Sequence, residues 1–358
     1  MADFTGVRVV HAANYQLDKD GDRFFNPDHK LHQGMVQSGC YVYPFSINDR
    51  ARMASPLCSK TGGKKSANRA LVQTCKNLEP DVLILGHGQY ITRETLEAVR
   101  EVVPEIRVGF WYVDHLWNPK AIEHIHNRSD LFDAVFCTSG GHLLRQFASP
   151  GCPAAFLPNP VEASIERERA FDTCDPKYDL VFVGRAEVGS ERGEMLQFLI
   201  DQLPELRLGF FGCLGRSAVF GRKKDQVLAA GRMAFNFNQR NDVELYSSDR
   251  IAQLIGNGLC TFIQNGNGFE QLYSDDEVVF FDDRKHLVEG ILELSKDDVA
   301  VRRIAKNGWL KAHQVYSARK CSEFLLNLTM RRNDWQDAPW AKHVYWHESD
   351  EVLNTKVA

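Results

Sequence analysis

The stretch that decides the fold is residues 246–283, YSSDRIAQLIGNGLCTFIQNGNGFEQLYSDDEVVFFDD. Ser247, Ser248 and Asp249 offer short oxygen side chains, which accept the free N–H groups of a first helical turn. Ile251, Leu254 and Ile255 then recur at helical spacing and give one apolar face. Gly256 and Gly258 stop that helix, and residues 259–263 read as a buried strand. A glycine-rich loop, residues 264–268, leaves the strand at its C-terminal end, the end at which open α/β sheets bind ligands. Residues 278–281 are expected as the next strand.

The same alternation extends outward. Upstream of this stretch, strands are expected at residues 180–183, 208–211 and 233–237, with a helix at 193–203. Further upstream they are expected at 7–10, 41–45, 82–85, 106–113, 134–137 and 154–157, with helices between them. Strands alternating with helices mean βαβ units and parallel sheets. Residues 162–177 lose the pattern: they are charged, contain Pro176 and carry few large apolar side chains, as a linker does. The expected organisation is a first domain at 1–161, the linker, a second domain at 178–315, and a terminal helix and tail, 316–358, that packs back on the first domain.

Composition narrows the class. A chain of 358 residues has room for two domains with substantial cores. A net charge of −4 gives no bulk reason to invoke nucleic acid. No apolar run approaches the roughly 20 residues that cross a bilayer. The start, MADFTGVRVVHAAN, lacks a basic segment followed by an apolar signal core. The nine cysteines form no CxxC pair, which fits reduced thiols in a cytoplasmic protein better than disulfides or zinc.

Taken in order, the capping serines ahead of Arg250, the helix, the small-residue turn, the strand and the acidic pair Asp282-Asp283 resemble the nucleotide-binding half of GT-B glycosyltransferases. The likeness is to the bacterial group 1 transferases that include the CgeB-like spore-maturation proteins. It is close over the second half of the chain and looser over the first. The resemblance implies an α/β GT-B fold, two Rossmann-like domains facing across a cleft. It implies a transferase that moves a sugar from a nucleotide-activated donor to a glycan or glycolipid, in bacterial surface polysaccharide or related glycan synthesis. The location would be the cytoplasm or the inner face of the membrane. No cofactor beyond the sugar nucleotide and no required metal are implied, because GT-B enzymes generally do without an Asp-x-Asp metal site.

The strand ends supply the candidate site. In the second domain these are Arg185, Gly212, Arg216, Arg250, Gly266, Asn267 and Gly268. Arginine offers fixed donors for phosphate, and helix N-termini offer free N–H groups. Arg250 falls on the Arg of the family's Ser-x-Arg-x-x-Glu pattern. Gln253 stands where that pattern has Glu; glutamine can hydrogen-bond hydroxyls but carries no charge, which leaves the donor's identity and that contact open. The basic stretch at Lys60, Lys64 and Lys65 reads as a solvated flexible connection, the alternative being a mobile loop over a phosphate-bearing substrate, and the run at Arg222, Lys223 and Lys224 reads as a solvated face.

In the first domain, Trp111-Tyr112-Val113-Asp114-His115 is the sharpest feature. Asp114 is the candidate base toward an acceptor hydroxyl, and His115 shares the proton or binds the donor sugar. The alternative is that Asp114 caps the helix beginning near Pro119. Gly86-His87-Gly88 has little bulk, so His87, with Trp111, is a candidate for the acceptor side. Ser139 lies in Thr-Ser-Gly-Gly, not in a hydrolase elbow. No G-x-G-x-x-G follows the first strand, which argues against a dinucleotide dehydrogenase. Trp335, Trp340 and Trp346 lie near Arg331, Arg332 and Lys342. That tail either meets a membrane interface or packs on the first domain, and packing is the expectation. The rival functions are a GT-B-like epimerase or phosphorylase, an enzyme using a nucleoside-monophosphate donor, and a sugar-nucleotide-binding protein without turnover.

Overall fold

The computed structural model describes residues 3–350 apart from residues 89, 115 and 247. The chain runs β1 (Arg8–Ala13), α1 (Pro27–Gln37), β2 (Tyr41–Ser46), α2 (Ile47–Met53), α3 (Lys64–Leu78), β3 (Val82–Gly86), α4 (Arg93–Val102), β4 (Arg107–Tyr112), α5 (Pro119–His126), β5 (Ala134–Cys137), α6 (Gly141–Arg145) and β6 (Ala154–Phe156). It continues through β7 (Tyr178–Ala186), α7 (Glu191–Gln202), β8 (Leu208–Cys213), α8 (Gly221–Ala229), β9 (Gly231–Asn236), α9 (Arg250–Gly256), β10 (Cys260–Gln264), β11 (Val279–Phe281), α10 (Arg284–Ser295), α11 (Asp298–Val315), α12 (Ala318–Thr329) and β12 (Val344–Tyr345). Two compact units result: residues up to Pro158 together with those from Ala318 onward, and Asn159–Ser317.

The first unit holds a seven-stranded sheet in the order β12-β6-β5-β4-β3-β1-β2. All its pairings are parallel except β12 with β6. The strand order reverses between β1 and β3, which leaves a crevice at their C-terminal ends. Strand β3 is buried at every position, as a central parallel strand covered on both faces must be. Helix α1 starts where it does because the Asn26 side chain accepts the Asp28 N–H at 3.0 Å and Pro27 fills the first helical position. Gly34 lets α1 press against α12, since a Cβ there would collide with the Ala318 backbone.

The second unit holds a five-stranded parallel sheet, β11-β10-β9-β7-β8, with its reversal between β7 and β9. Phe182, Phe210, Phe235, Phe262 and Phe281 share its main core with leucines of α7 and aliphatic residues of α11.

Several segments differ from the sequence expectation. The basic stretch around residues 50–65, expected as a flexible connection, ends α2 and begins α3. Its lysines and arginines are good helix formers interrupted by Gly62 and Gly63. Arg222, Lys223 and Lys224 lie in α8, and Lys224 is buried. Residues 162–177, expected as a linker, are packed into the second unit. Glu162, Ile165, Glu166 and Phe171 are buried there, and the Ala170 N–H donates to the Asn257 carbonyl at 3.0 Å. Few apolar residues sufficed because they are well placed. In the tail, Trp340 is buried, and β12 pairs with β6, which covers a sheet edge. Among the described residues no helix is long and apolar enough to cross a membrane.

Candidate functional site

In the second unit, the loops after β7, β9 and β10 gather around the start of α9. The Asn238 and Asn267 side-chain amides both donate to the Tyr246 carbonyl, at 3.0 and 3.3 Å, and pin the segment that precedes Arg250. Arg250 Nε donates to Asn236 Oδ1 at 3.1 Å and Nη2 to the Phe237 carbonyl at 2.7 Å. A Cβ at position 184 would lie 2.6 Å from Arg250 Nη1, so glycine at the end of β7 makes room for the guanidinium. Burial, and then the neighbouring Arg192 charge, push Arg250 down to about 9.

Arg192, in the first turn of α7, donates through Nη1 to the Arg185 carbonyl at 2.9 Å. Among the described residues its buried Nε has no partner, and burial lowers its pKa. Arg192 lines a pocket of about 350 Å³ with Arg185, Ser190 and Asn238. The two guanidinium groups are held by neutral oxygens, so each keeps its charge available at partly desolvated positions. Such a pair favours an anion, most strongly one with several oxygens.

The other sequence candidates in this unit separate. Arg185 is 87% exposed through its side chain and pairs with Glu187 at 2.7 Å. Gly212, at φ 76°, brings its backbone close to the end of β7, where a Cβ would lie 3.1 Å from the Gly184 carbonyl oxygen. Arg216 is exposed in the following turn and does not line the pocket. Gly266 and Gly268 take left-handed conformations at φ 95° and 91°, and buried Asn267 between them accepts the Phe269 N–H at 3.3 Å. Gln253 is buried and engaged at both ends: it accepts from Lys224 Nζ and donates to Asp249. Asp249 sits at the cap position of α9, yet its carboxylate receives Gln253 and caps nothing. Ser247 lies outside the described residues.

In the first unit, a second cluster occupies the crevice between β1 and β3. His87 follows β3 in a left-handed conformation, φ 59°, with its N–H donating to the Trp111 carbonyl at 3.1 Å. Its Nδ1 lies 3.6 Å from Asp28 Oδ2 and its Nε2 lies 3.8 Å from Asp114 Oδ2. Asp28 is fully buried, and its Oδ2 accepts the Asn14 N–H at 3.1 Å. Asp114, after β4, is 48% exposed through its side chain. Burial works against a charged His87, but the two carboxylates prevail and raise its pKa. Burial likewise works against Asp28, yet His87 and the Asn14 N–H hold its carboxyl below the ordinary range.

Behind this pair, the Tyr15 hydroxyl lies 2.7 Å from His11 Nδ1 and 3.0 Å from His32 Nδ1. Burial pushes His11 down to about 3 and His32 to about 4. Arg128 donates to the Gly88 and Ile91 carbonyls at 3.0 and 2.9 Å and fixes the turn that carries His87. Asp114 does not cap α5, because Asn118 does, accepting the Lys120 N–H at 3.1 Å. Trp111, expected on the acceptor side, is fully buried within the sheet layer. His115 lies outside the described residues.

Sequence reading did not single out Arg192, Asn238, Asp28, His11 or Tyr15. Asp28 carried one usable signal: it follows Asn26-Pro27, a helix start, soon after a strand end. Arg192 carried none, since an arginine near a helix start is ordinary. Among the described residues no group of three or more His, Cys, Asp or Glu side chains is arranged to hold a metal ion.

Residues 192–327 match the family model described as glycosyl transferase-like, a span that begins at Arg192 and includes Arg250. No curated protein sequence matches the chain. Among solved structures it is similar to sucrose-phosphate synthase from Thermosynechococcus elongatus, at 10% identity and a TM-score of 0.57, over 91% of this chain and 98% of that one. It is similar at 11% identity to HepE of Anabaena in complex with UDP and glucose, with a TM-score of 0.55 over 89% and 98% of the two chains. TarM is similar at 11% identity and a TM-score of 0.54, over 74% of this chain and 58% of TarM, so this chain spans little more than half of that protein's length. The chain has the GT-B fold. In GT-B terms, each unit is one Rossmann-like half, and the two clusters lie at the two topological switch points.

Proposed function

We propose that this GT-B protein is a glycosyltransferase that moves a sugar from a nucleotide-activated donor to a hydroxyl of a glycan or glycolipid. The Arg192–Arg250 pair at the switch point of the second unit carries this reading. Two neighbouring cations anchored by neutral oxygens suit the diphosphate of a sugar nucleotide. They would be worth most at the moment the leaving group gains charge. The glycosyl transferase-like match over the same residues supports the reading, as does the likeness to HepE, which was solved with UDP and glucose.

Donor binding is assigned to residues 178–315, with Arg185, Gly212, Arg216 and the loop at Gly266, Asn267 and Gly268 around the guanidinium pair. Acceptor binding is assigned to residues 1–161. There the group formed by Asp114, His87 and His115, the residue after Asp114 in sequence, would take up the acceptor proton. The hydroxyl oxygen would bond to the anomeric carbon, and the bond to the diphosphate oxygen would break with its electron pair on phosphate. Arginine would supply the neutralising charge, so no metal is required. The work would fall in bacterial surface glycan synthesis, in the manner of the CgeB-like group 1 transferases, in the cytoplasm or at the inner membrane face.

Isothermal titration against UDP, GDP, ADP and CMP tests the donor side. One nucleoside diphosphate should bind, and Arg250→Ala should abolish that binding. If no nucleotide binds, the donor assignment falls.

A further inference from the structure

The first unit contains a buried carboxylate that the transfer reading does not use. Asp28 has no exposed surface, yet it sits 3.6 Å behind His87 Nδ1, while His87 Nε2 points at exposed Asp114, 3.8 Å away. The backbone is shaped for this contact. His87 takes a left-handed conformation that a side-chain-bearing residue adopts at a cost. Gly86 before it admits no Cβ, because one would collide with the Asp28 carboxylate. Among the described residues, neither buried Asp28 Oδ1 nor buried His87 Nδ1 has a hydrogen-bond partner, so the pair is close but slack. Hydrogen bonds of catalytic groups are often long before substrate binds and tighten afterwards.

We propose that Asp28 is a positioning residue that holds the His87 imidazole with Nδ1–H toward the buried carboxylate and Nε2 toward Asp114 and the incoming hydroxyl. This inference rests on the glycosyl-transfer reading for its consequence, but not for its geometry. With Nδ1 protonated, the Nε2 lone pair faces outward. The acceptor O–H proton passes to Nε2 as the oxygen bonds to the anomeric carbon and the diphosphate departs with the electron pair. The resulting imidazolium lies between two carboxylates, and its proton returns to solvent past Asp114. Asp28 from α1 and Asp114 from the loop after β4 face His87. His11 on β1 and Tyr15 face Asp28 from behind, and Arg128 and His124 both reach the Gly88 carbonyl next in the chain. His87 thus has negative partners on both sides, and they raise its pKa against the opposing effect of burial.

The test is Asp28→Asn, which keeps the shape and removes the charge. Nitrogen-15 imidazole spectra of the full-length protein, with His87 assigned by comparison with His87→Gln, read the ring directly. In Asp28→Asn the His87 titration should move to lower pH and its ring should lose the single tautomer. Turnover should fall at least about tenfold with donor KM unchanged, and the acid limb of the pH–rate profile should move down with the titration. If the His87 titration and tautomer are unchanged, the inference is overturned, whatever the protein transfers. If the ring shifts while turnover and pH profile stay put, Asp28 does not position a catalytic histidine. A wild-type protein that transfers nothing would sink the transfer reading alone, because the spectra still judge the pair. Should Asp28→Asn fail to fold, Asp28→Glu carries the same ring measurement, with the carboxylate displaced by one methylene.

Discussion

The Arg250 guanidinium stacks on Phe182, its central carbon 5.0 Å from the ring centroid. One face of the cation is therefore covered by an aromatic ring, and two of its nitrogens are fixed by Asn236 and the Phe237 carbonyl. This arrangement depends on the planar fork and not on charge alone. Arg250→Lys should weaken the binding of the correct nucleoside diphosphate at least about tenfold, which is about 1.4 kcal/mol. Arg192→Lys should do the same to a smaller degree. Calorimetry showing unchanged affinity in both would remove the pair from the anion site.

Gly86→Ala should be felt twice. The new methyl meets both the Asp28 carboxylate and Ala13 Cβ, the latter at 2.9 Å. Overpacking of this kind costs about 1–3 kcal/mol, measurable by urea unfolding. Because the displaced group is Asp28, turnover should fall by more than the folded fraction does. A variant that is destabilised but fully active would show that the exact seat of Asp28 does not matter.

The acid side of the stability curve should be steep, and His11 should be a main cause. Its folded pKa, about 3, lies below the unfolded value near 6.5, so between those pH values the unfolded chain binds more protons. Stability therefore rises with pH from about 3 to 6.5, by up to several kcal/mol at about 1.4 kcal/mol per unit. His87 acts in the opposite sense: its raised pKa favours the folded state at low pH, an advantage lost as pH rises through the folded value. Thermal unfolding of His11→Gln across this window should show a flatter acid limb than wild type. An unchanged slope would mean that His11 is already protonated in the folded protein.

Gln253 is the residue at which sequence and structure part most clearly. Its position in a family pattern suggests a hydroxyl contact, but the structure ties it to Lys224 and Asp249 inside the second unit. Gln253→Leu should lower the free energy of unfolding by about 1–3 kcal/mol, since it removes a partner of a buried ammonium group. Lost nucleotide affinity with unchanged unfolding would return Gln253 to the donor site.

The legible part of this protein is the part written in local patterns. Strand β10 and the glycines after it were readable because a short apolar run bounded by glycine has few other meanings. Most other strands were readable for the same reason. Asp114 and Arg250 stood out as candidates because strand ends and helix starts are where α/β sheets bind ligands. The pairing of Asp28 with His87 was not legible, because it is made by the parallel neighbourhood of β1 and β3 and not by any spacing along the chain. Arg192 was hidden for a similar reason: its neighbours Arg250 and Asn238 arrive from other strand ends. Residues 162–177 misled because charge density is a poor guide to burial when Ile165 and Phe171 alone anchor the segment.

The pairing of β12 with β6 and the seating of α12 against α1 have a consequence for biosynthesis. Residues 159–317 form one uninterrupted unit, whereas the first unit needs Ala318 and the residues beyond it. A ribosome therefore delivers the whole of the second unit before the first unit can acquire its last helix and its edge strand. The half that is begun first is finished last, and an early stop between 318 and 345 would leave it, and not its neighbour, with an uncovered flank.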